Sequence, residues 1–339
     1  MPKPQPRPVP VVPAGLAIGH AGDSAIASGV TALVFAQPAT ASVSVLGGAP
    51  GGRDTGLLAP EMTVEQVDAL LLSGGSAFGL DAAGGAMAAL ATTGRGFPVG
   101  PLRVPIVPQA ILFDLLNGGD KRWSDRPPYW AWGRQAIQDA AATTPEGSVG
   151  AGLGATLANL KGGFGTASAR TRRGLAVQAF MAVNAIGVAT IGETGHFWAG
   201  PYEQEREFGG RGWPARLPDE ALGLRIKGHA AEPATTIGAV VTDARLTKAQ
   251  AHRLAIMGQD GLARAIRPAH AAMDGDTLFA AATGRQALED PLLDLTELGM
   301  LAADCVARAI ARAVYHARAL PFPGALPDWQ TRFGDGSAA

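Results

Sequence analysis

A layered α+β fold is the class this sequence predicts, on three observations. The chain has 339 residues and is 47% hydrophobic, enough apolar content for a large core. β-rich runs and helical patterns are mixed along it, without the strict βαβ alternation of a doubly wound sheet. Glycine is abundant, at 46 residues, and so is alanine, which suits close helix–sheet packing and many tight turns. No internal repeat is visible.

The elements follow in order. From Gly15 to Pro50 the texture is short β segments: "GVTALVFA" and "ASVSVLGG" are alternating or β-rich runs, the second ending in glycine. "ALLLSGG" is a candidate buried strand, and "SAFGLDAAGGAMAALATTG" a helix closed by Gly94. After "VPIVPQAILFDL" comes a Trp-rich surface loop, "KRWSDRPPYWAWG", and then a helix, "GRQAIQDAAATT". "GSVGAGLGATLANLKGGFGTAS" is dominated by glycine, and "LAVQAFMAVNAIGVATI" gives another pair of buried β runs. The polar stretch from Gly192 to position 232 holds clusters of Gly, Pro and charge and reads as an exposed tether. "ATTIGAVVTDA" is a strand with two threonines at its mouth. The helix after it has Thr247 at its N-cap and Leu254, Met257, Gly261 and Ala265 as an inner stripe. "TLFAAATG" is a last strand, and a long helix with Leu298, Leu301, Ala302, Cys305 and Ala309 on one face completes the chain.

Composition excludes several function classes. Charged residues make up 17% and the formal net charge is −1, with no basic stripe and no aromatics interleaved with Lys or Arg, so no nucleic-acid partner is expected. The single cysteine, Cys305, rules out an internal disulfide and a thiolate cluster, and its helical apolar face marks a packed thiol rather than a nucleophile. No two histidines stand at i, i+4 spacing, so no metal site is expected, nor any cofactor. No apolar run reaches membrane-spanning length. Residues 1–14, alternating Pro with polar residues or Val, read as an extended arm rather than a signal peptide, which places the expectation in the cytoplasm.

Two glycine motifs tempt and fail. "GAGLGA", Gly150 to Ala155, is an inexact dinucleotide loop without a strand–turn–helix frame or a downstream acid, and reads as a structural turn. "SGGSAFG" resembles a nucleophile elbow, but Phe78 stands where the second glycine is required. Backbone N–H groups after Ser76 remain a candidate subsite for a carboxylate or an oxyanion of the substrate. The paired threonines admit two readings: an ordinary loop feeding a strand after Pro233, or Thr235 as a nucleophile that becomes a new N-terminus.

Seven blocks in order decide between them. "GLAIGHAGD", "LGGAPGGRDTGLL", "ALLLSGGSAFGLDAAGGAM", "GRGFPVGPLRVPIVPQAILFDL", "GSVGAGLGATLANLKGGFGTAS", "ATTIGAVVTDARLT" and "AAMDGDTLFAAATG" are similar to blocks of the L-aminopeptidase/D-amidase-esterase family. That family includes the β-aminopeptidases and the nylon-oligomer hydrolases. The likeness runs from about Gly15 to His316. It implies an αββα four-layer sandwich and an N-terminal-nucleophile hydrolase of amide bonds in short peptides, amino-acid amides, β-peptides or 6-aminohexanoate oligomers. It also implies a single domain, 15–339, that cuts itself between Ala234 and Thr235 into 15–234 and 235–339.

Residue by residue, the resemblance makes Thr235 the nucleophile, its freed α-amine acting as base at a reference pKa near 8. Lys161 in "NLKGG" matches an active-site lysine whose charge lowers the pKa of that amine. Asn184 in "AVNAIG" matches the donor to the tetrahedral oxyanion. Asp274 and Asp276 in "MDGDT" match a pair near the new amine, although D-G-D taken alone is a turn. Two departures stand out: Ala234 replaces the Asn found in relatives of the nylon hydrolases, and Phe113 replaces a tyrosine able to hydrogen-bond substrate. Two other readings stay open at this level: an acyltransferase of the ornithine-acetyltransferase kind, and an unprocessed binding protein. The resemblance implies a compact tetramer of αβ units, and tryptophans read as loop residues, Trp123, Trp130, Trp132, Trp198 and Trp213, together with the proline arm, are independent hints of a homo-oligomer.

Overall fold

The computed structural model describes residues 12–228 and 233–334. Most of the arm expected over 1–14 therefore lies outside the described residues. The strands are β1 (Leu16–Asp23), β2 (Ser28–Val45), β3 (Gly52–Arg53), β4 (Gln66–Ser73), β5 (Phe97–Val99), β6 (Leu102–Val104), β7 (Gln109–Ile111), β8 (Gly163–Arg170), β9 (Ala176–Asn184), β10 (Thr235–Ala244) and β11 (Thr277–Gln286). The helices are α1 (Ala82–Thr92), α2 (Tyr129–Gln138), α3 (Lys248–Ala265), α4 (Pro291–His316) and α5 (Trp329–Phe333).

The two short β runs expected at the start are one strand. β2 carries both and bends in the middle: its pairing with β4 shifts register between Val34 and Ala39, where Ala36, Gln37 and Pro38 are exposed. Proline has no N–H for the ladder, so the break belongs there. The first half of β2 pairs antiparallel with β1, from Leu16↔Phe35 to Asp23↔Ser28. The second half pairs antiparallel with β11, from Ala282↔Thr40 to Thr277↔Val45. The path β3-β7-β4-β2-β11-β10-β9-β8 is thus two sheets sharing one bent strand.

Side-chain alternation turns these sheets into four layers. On β4, Leu70 and Leu72 join Phe164, Phe180, Ile237, Ala239 and Phe279 in a core between the sheets. Ala69 and Leu71, one residue out of phase, pack instead against α1 and α2 through Ala82, Ala86, Tyr129, Trp132 and Ala136. On the far side Ala179, Met181, Val183 and Val240 meet α3 and α4 through Leu254, Leu262, Val306 and Ile310. Three apolar cores between four layers are the αββα sandwich.

Several local expectations are met. Thr247 caps α3 in a reciprocal box with Gln250, and Leu254, Gly261 and Ala265 are buried on its inner stripe. Cys305 is fully buried, and burial pushes its thiol up to about 12, so it is a packing residue.

Others are corrected. The Trp-rich segment is a loop only to Pro128, because Tyr129, Trp132 and Ala136 form a buried i, i+3, i+7 stripe that winds α2 from Tyr129 to Gln138. Of the tryptophans read as exposed, only Trp213 is; Trp132 is buried and Trp123, Trp130 and Trp198 are half-buried. The second β run after Asn184 is absent: residues 185–191 are largely buried but irregular, tied by bridges Val188↔Arg267 and Thr190↔Phe197. The stretch from Gly192 is no exposed tether as far as it is described. Phe197 and Phe208 are buried, with Phe197 stacked on Trp329 at 5.7 Å. Glu207 binds Arg308 through both oxygens, at 2.5 and 3.0 Å, and Arg312 at 3.0 Å. Glu207 is thus spent on α4 rather than on solvent, while Glu205, Arg206, Arg216 and Asp219 remain exposed. Residues 229–232 lie outside the described residues.

Candidate active site

Residues flanking Ala234 and Thr235 are held by two neighbours. Ala234 bridges Asp274 in parallel, and the Gly275 N–H donates to the Ala234 carbonyl at 3.0 Å. Thr235 opens β10, opposite Asn184 on antiparallel β9. Directly opposed residues share a face, and Thr235 and Asn184 are in phase with Ile237, Ala239, Phe180 and Ala182. Both therefore stand on the inter-sheet face, at its rim. Thr236 faces the helix layer instead, in phase with Val240. The Thr235 hydroxyl donates to the Ala234 carbonyl. Thr235 and Ala234 are only 4% and 1% exposed.

Asn184 has no exposed surface and four polar partners. Its Oδ1 accepts from Asn117 Nδ2 at 2.8 Å, Thr156 N at 3.0 Å and Lys227 Nζ at 3.1 Å. Its Nδ2 donates to the Phe113 carbonyl at 2.8 Å. Phe113 thus enters the site through its main chain.

Lys161 is 2% exposed. Its Nζ donates to the carbonyls of Ala155 and Gly162 at 2.8 Å and Gly152 at 3.2 Å, all on the glycine-rich segment. Burial pulls its pKa down to about 7; Asp114 counters this and the Lys227 charge adds to it. The three bonds it donates are those of an ammonium, whose charge burial disfavours. The glycines of this segment allow backbone contact: a Cβ on Gly154 would meet the Ala27 carbonyl at 1.9 Å. No dinucleotide loop is formed; Gly150–Gly152 is a single 3₁₀ turn.

The acidic pair divides its tasks. Asp276 accepts from Thr236 N at 2.8 Å and from both His270 N and His270 Nδ1 at 2.9 Å, so it pins the second residue of β10. Asp274, almost fully buried, accepts from Ala271 N at 3.2 Å. Burial, then the neighbouring Asp276 charge, raises its pKa to about 7.

Ser76 has, among the described residues, no hydrogen bond to Thr235, Asn184 or Lys161. Its N–H donates to the Leu112 carbonyl at 3.0 Å, and the adjacent Gly75 N–H to Asp114 Oδ1 at 2.8 Å. The carboxylate at this turn is the chain's own.

Sequence reasoning missed Asn117, Gly275 and Lys227. Lys227 was hidden inside the supposed tether, and Asn117 precedes a Gly-Gly turn with nothing to mark it. No group of three or more His, Cys, Asp or Glu side chains among the described residues is placed to hold a metal ion. No helix among them is long and apolar enough to cross a membrane.

The pattern of Peptidase family S58 matches residues 10–324. An uncharacterized aminopeptidase of Mycobacterium tuberculosis (strain ATCC 25618 / H37Rv) is 41% identical over 319 residues, covering 91% of this chain and 90% of its own. A 6-aminohexanoate-oligomer endohydrolase of Paenarthrobacter ureafaciens is 28% identical over 278 residues, covering 79% and 73%. In fold, a Burkholderia sp. β-aminopeptidase superposes with TM-score 0.65 at 21% identity, covering 94% of this chain and 89% of its own. The L-aminopeptidase D-Ala-esterase/amidase of Ochrobactrum anthropi, described as a variant of the Ntn hydrolase fold, gives TM-score 0.63 at 19% identity, covering 94% and 90%. The chain belongs to Peptidase family S58 and is a hydrolase of amide bonds.

Proposed function

We propose that this hydrolase becomes active by cutting its own chain between Ala234 and Thr235, and that Thr235 is then the nucleophile. The observation that carries the reading is the convergence on one peptide: the Thr235 hydroxyl and the Gly275 N–H both donate to the Ala234 carbonyl oxygen. Attack of Thr235 Oγ1 on the Ala234 carbonyl carbon forms a C–O bond and a tetrahedral oxyanion, which the Gly275 N–H is placed to hold. Breaking the C–N bond passes a proton to the departing nitrogen, leaving an ester and a free α-amine; water then releases the Ala234 carboxylate. In the hydrolytic cycle that amine takes the Oγ1 proton as a substrate carbonyl is attacked. The substrate's leaving amine takes the proton away, and water frees the acyl group from Thr235.

Asn184 donates to the substrate oxyanion through the Nδ2–H not given to Phe113. Lys161 and Asp274, both brought near neutrality, are the proton-exchanging neighbours. Asp276 orients the strand. Thr236 has no role in bond-making, since it faces the other side of β10. Phe113 lines the substrate side of Asn184. The substrates are amides of N-terminal residues in short peptides, in keeping with the aminopeptidase relatives at 40–41% identity. Nylon-type oligomers come second, on the relatives at 27–28%.

Assembly as a closed homo-oligomer, a tetramer of cleaved pairs, belongs to the same reading. Its support is now the β5–β6 hairpin, whose Phe97, Val99, Leu102 and Val104 are all exposed.

N-terminal sequencing of the smaller piece tests the mechanism and should read Thr-Thr-Ile-Gly; any other start removes its basis. Thr235→Ala should abolish cleavage and hydrolysis together, while Thr236→Ala retains both. Equal loss in the two variants would move the nucleophile by one residue. For assembly, light scattering should give a mass several times that of one chain, reduced by Leu102→Asp. A wild-type mass of one cleaved pair would refute it.

A further inference from the structure

Lys227 lies seven residues before Ala234 and is only 7% exposed. Its backbone N–H donates to the Ile186 carbonyl at 2.8 Å, so its place is set by the segment after β9 and not by the Ala234–Thr235 bond. From that anchor its Nζ reaches Asn184 Oδ1 at 3.1 Å. An amide oxygen with three donors around it, Asn117 Nδ2, Thr156 N and Lys227 Nζ, has only one sensible orientation. The flipped amide would turn its NH₂ against those three donors and lose the bond to Phe113. Of the three, only Lys227 carries an ammonium. A positive charge on Oδ1 draws electron density along the amide and strengthens the Nδ2–H groups as donors.

We infer that Lys227 is a positioning residue for this reaction: its Nζ, bonded to Asn184 Oδ1, fixes and polarises the amide that meets the oxyanion. The inference rests on Asn184 as the oxyanion donor. Lys227 acts through its bond to Asn184 Oδ1, and its charge is also felt by Lys161 and Asp274. Because its anchor is Ile186, it stays in place after cleavage and serves every later turnover. The segment before the cut is thereby a working part of the mature site.

A double-mutant cycle tests this on kcat and KM of the cleaved enzyme with an amino-acid p-nitroanilide. Lys227→Met should lower kcat roughly 10- to 100-fold, the worth of a hydrogen bond to a charged group, with KM and melting temperature nearly unchanged. Lys227→Gln, which keeps a neutral donor, should fall between, and replaces Met in the cycle if Lys227→Met does not fold. In the Asn184→Ala background the same substitution should cost at least several-fold less than in the wild type, because its hydrogen-bonded intermediary is gone. Equal losses in both backgrounds overturn the inference, as does a neutral Lys227→Met. If Asn184→Ala alone leaves turnover normal, the oxyanion reading falls first and takes this one with it, an outcome visible without touching Lys227.

Discussion

Gly275→Ala probes the geometry on which self-cleavage depends. A Cβ at this position would lie 2.8 Å from Thr235 Oγ1, 3.1 Å from Thr235 Cγ2 and 2.9 Å from the Ala49 carbonyl oxygen. Ordinary contact begins near ~3.5 Å, so each neighbour is crowded by about 0.4–0.7 Å. Ala49 O is backbone and yields little; the Thr235 side chain must take up most of the shift. The Gly275 N–H that donates to Ala234 O is kept by alanine, so the change isolates hydroxyl placement from oxyanion stabilisation. A displacement approaching 1 Å at a reacting atom costs on the order of 10²-fold in rate, and self-cleavage should slow by about 10- to 100-fold. Overpacking also costs about 1–3 kcal/mol of stability. That cost should shrink in the Thr235→Ala background, where two of the three crowded atoms are gone. The assay is a time course of intact mass after rapid folding, beside thermal melts of the single and double variants. Wild-type cleavage kinetics in Gly275→Ala would refute this placement of Thr235 Oγ1.

The pH dependence of cleavage follows from Lys161 and Asp274. Both sit near about 7 and either accepts a proton only when deprotonated, so the cleavage rate should climb with pH through about 7 and level off above it. A rate flat from about pH 5 to 9 contradicts this. Stability carries the matching signature. Asp274, raised on folding, contributes stability at acid pH that is lost as pH rises through about 7. Lys161, lowered on folding, is charged at a cost, and this cost is relieved as pH rises from about 7 toward its unfolded value. In a pH series of melts, Lys161→Met should lose the alkaline part of this rise, and an unchanged slope there counts against a depressed Lys161. Phe180→Ala, in the core between the sheets, should cost about 3–5 kcal/mol by urea unfolding in the uncleavable Thr235→Ala chain; a loss below about 1 kcal/mol would mean that core is misdrawn.

Much of this protein is legible in its residues, for reasons that are local. Strand β10 shows in its β-branched run, α3 in the Thr247 cap and its apolar stripe, and α4 in the small-residue face around Cys305. Each depends on neighbours within a few positions; the ordered blocks pointed to Thr235, Lys161 and the Asp274–Asp276 pair as candidates, and the motif "AVNAIG" to Asn184. What only tertiary structure decided are matters of distant partners. Whether Pro38 ends a strand or bends one depends on β4 and β11 pairing on either side of it. Tyr129 and Trp132 are helical because α1 and the first sheet bury them, although their neighbours Pro127 and Pro128 read as loop. Glu207, inside the supposed tether, looked solvated because its partners, Arg308 and Arg312, are about a hundred residues away. Lys227 joins the site for the same reason: its meaning lies in Asn184 Oδ1, 43 positions earlier, and no local pattern marks a side chain whose partner is set by the meeting of β9 with β10.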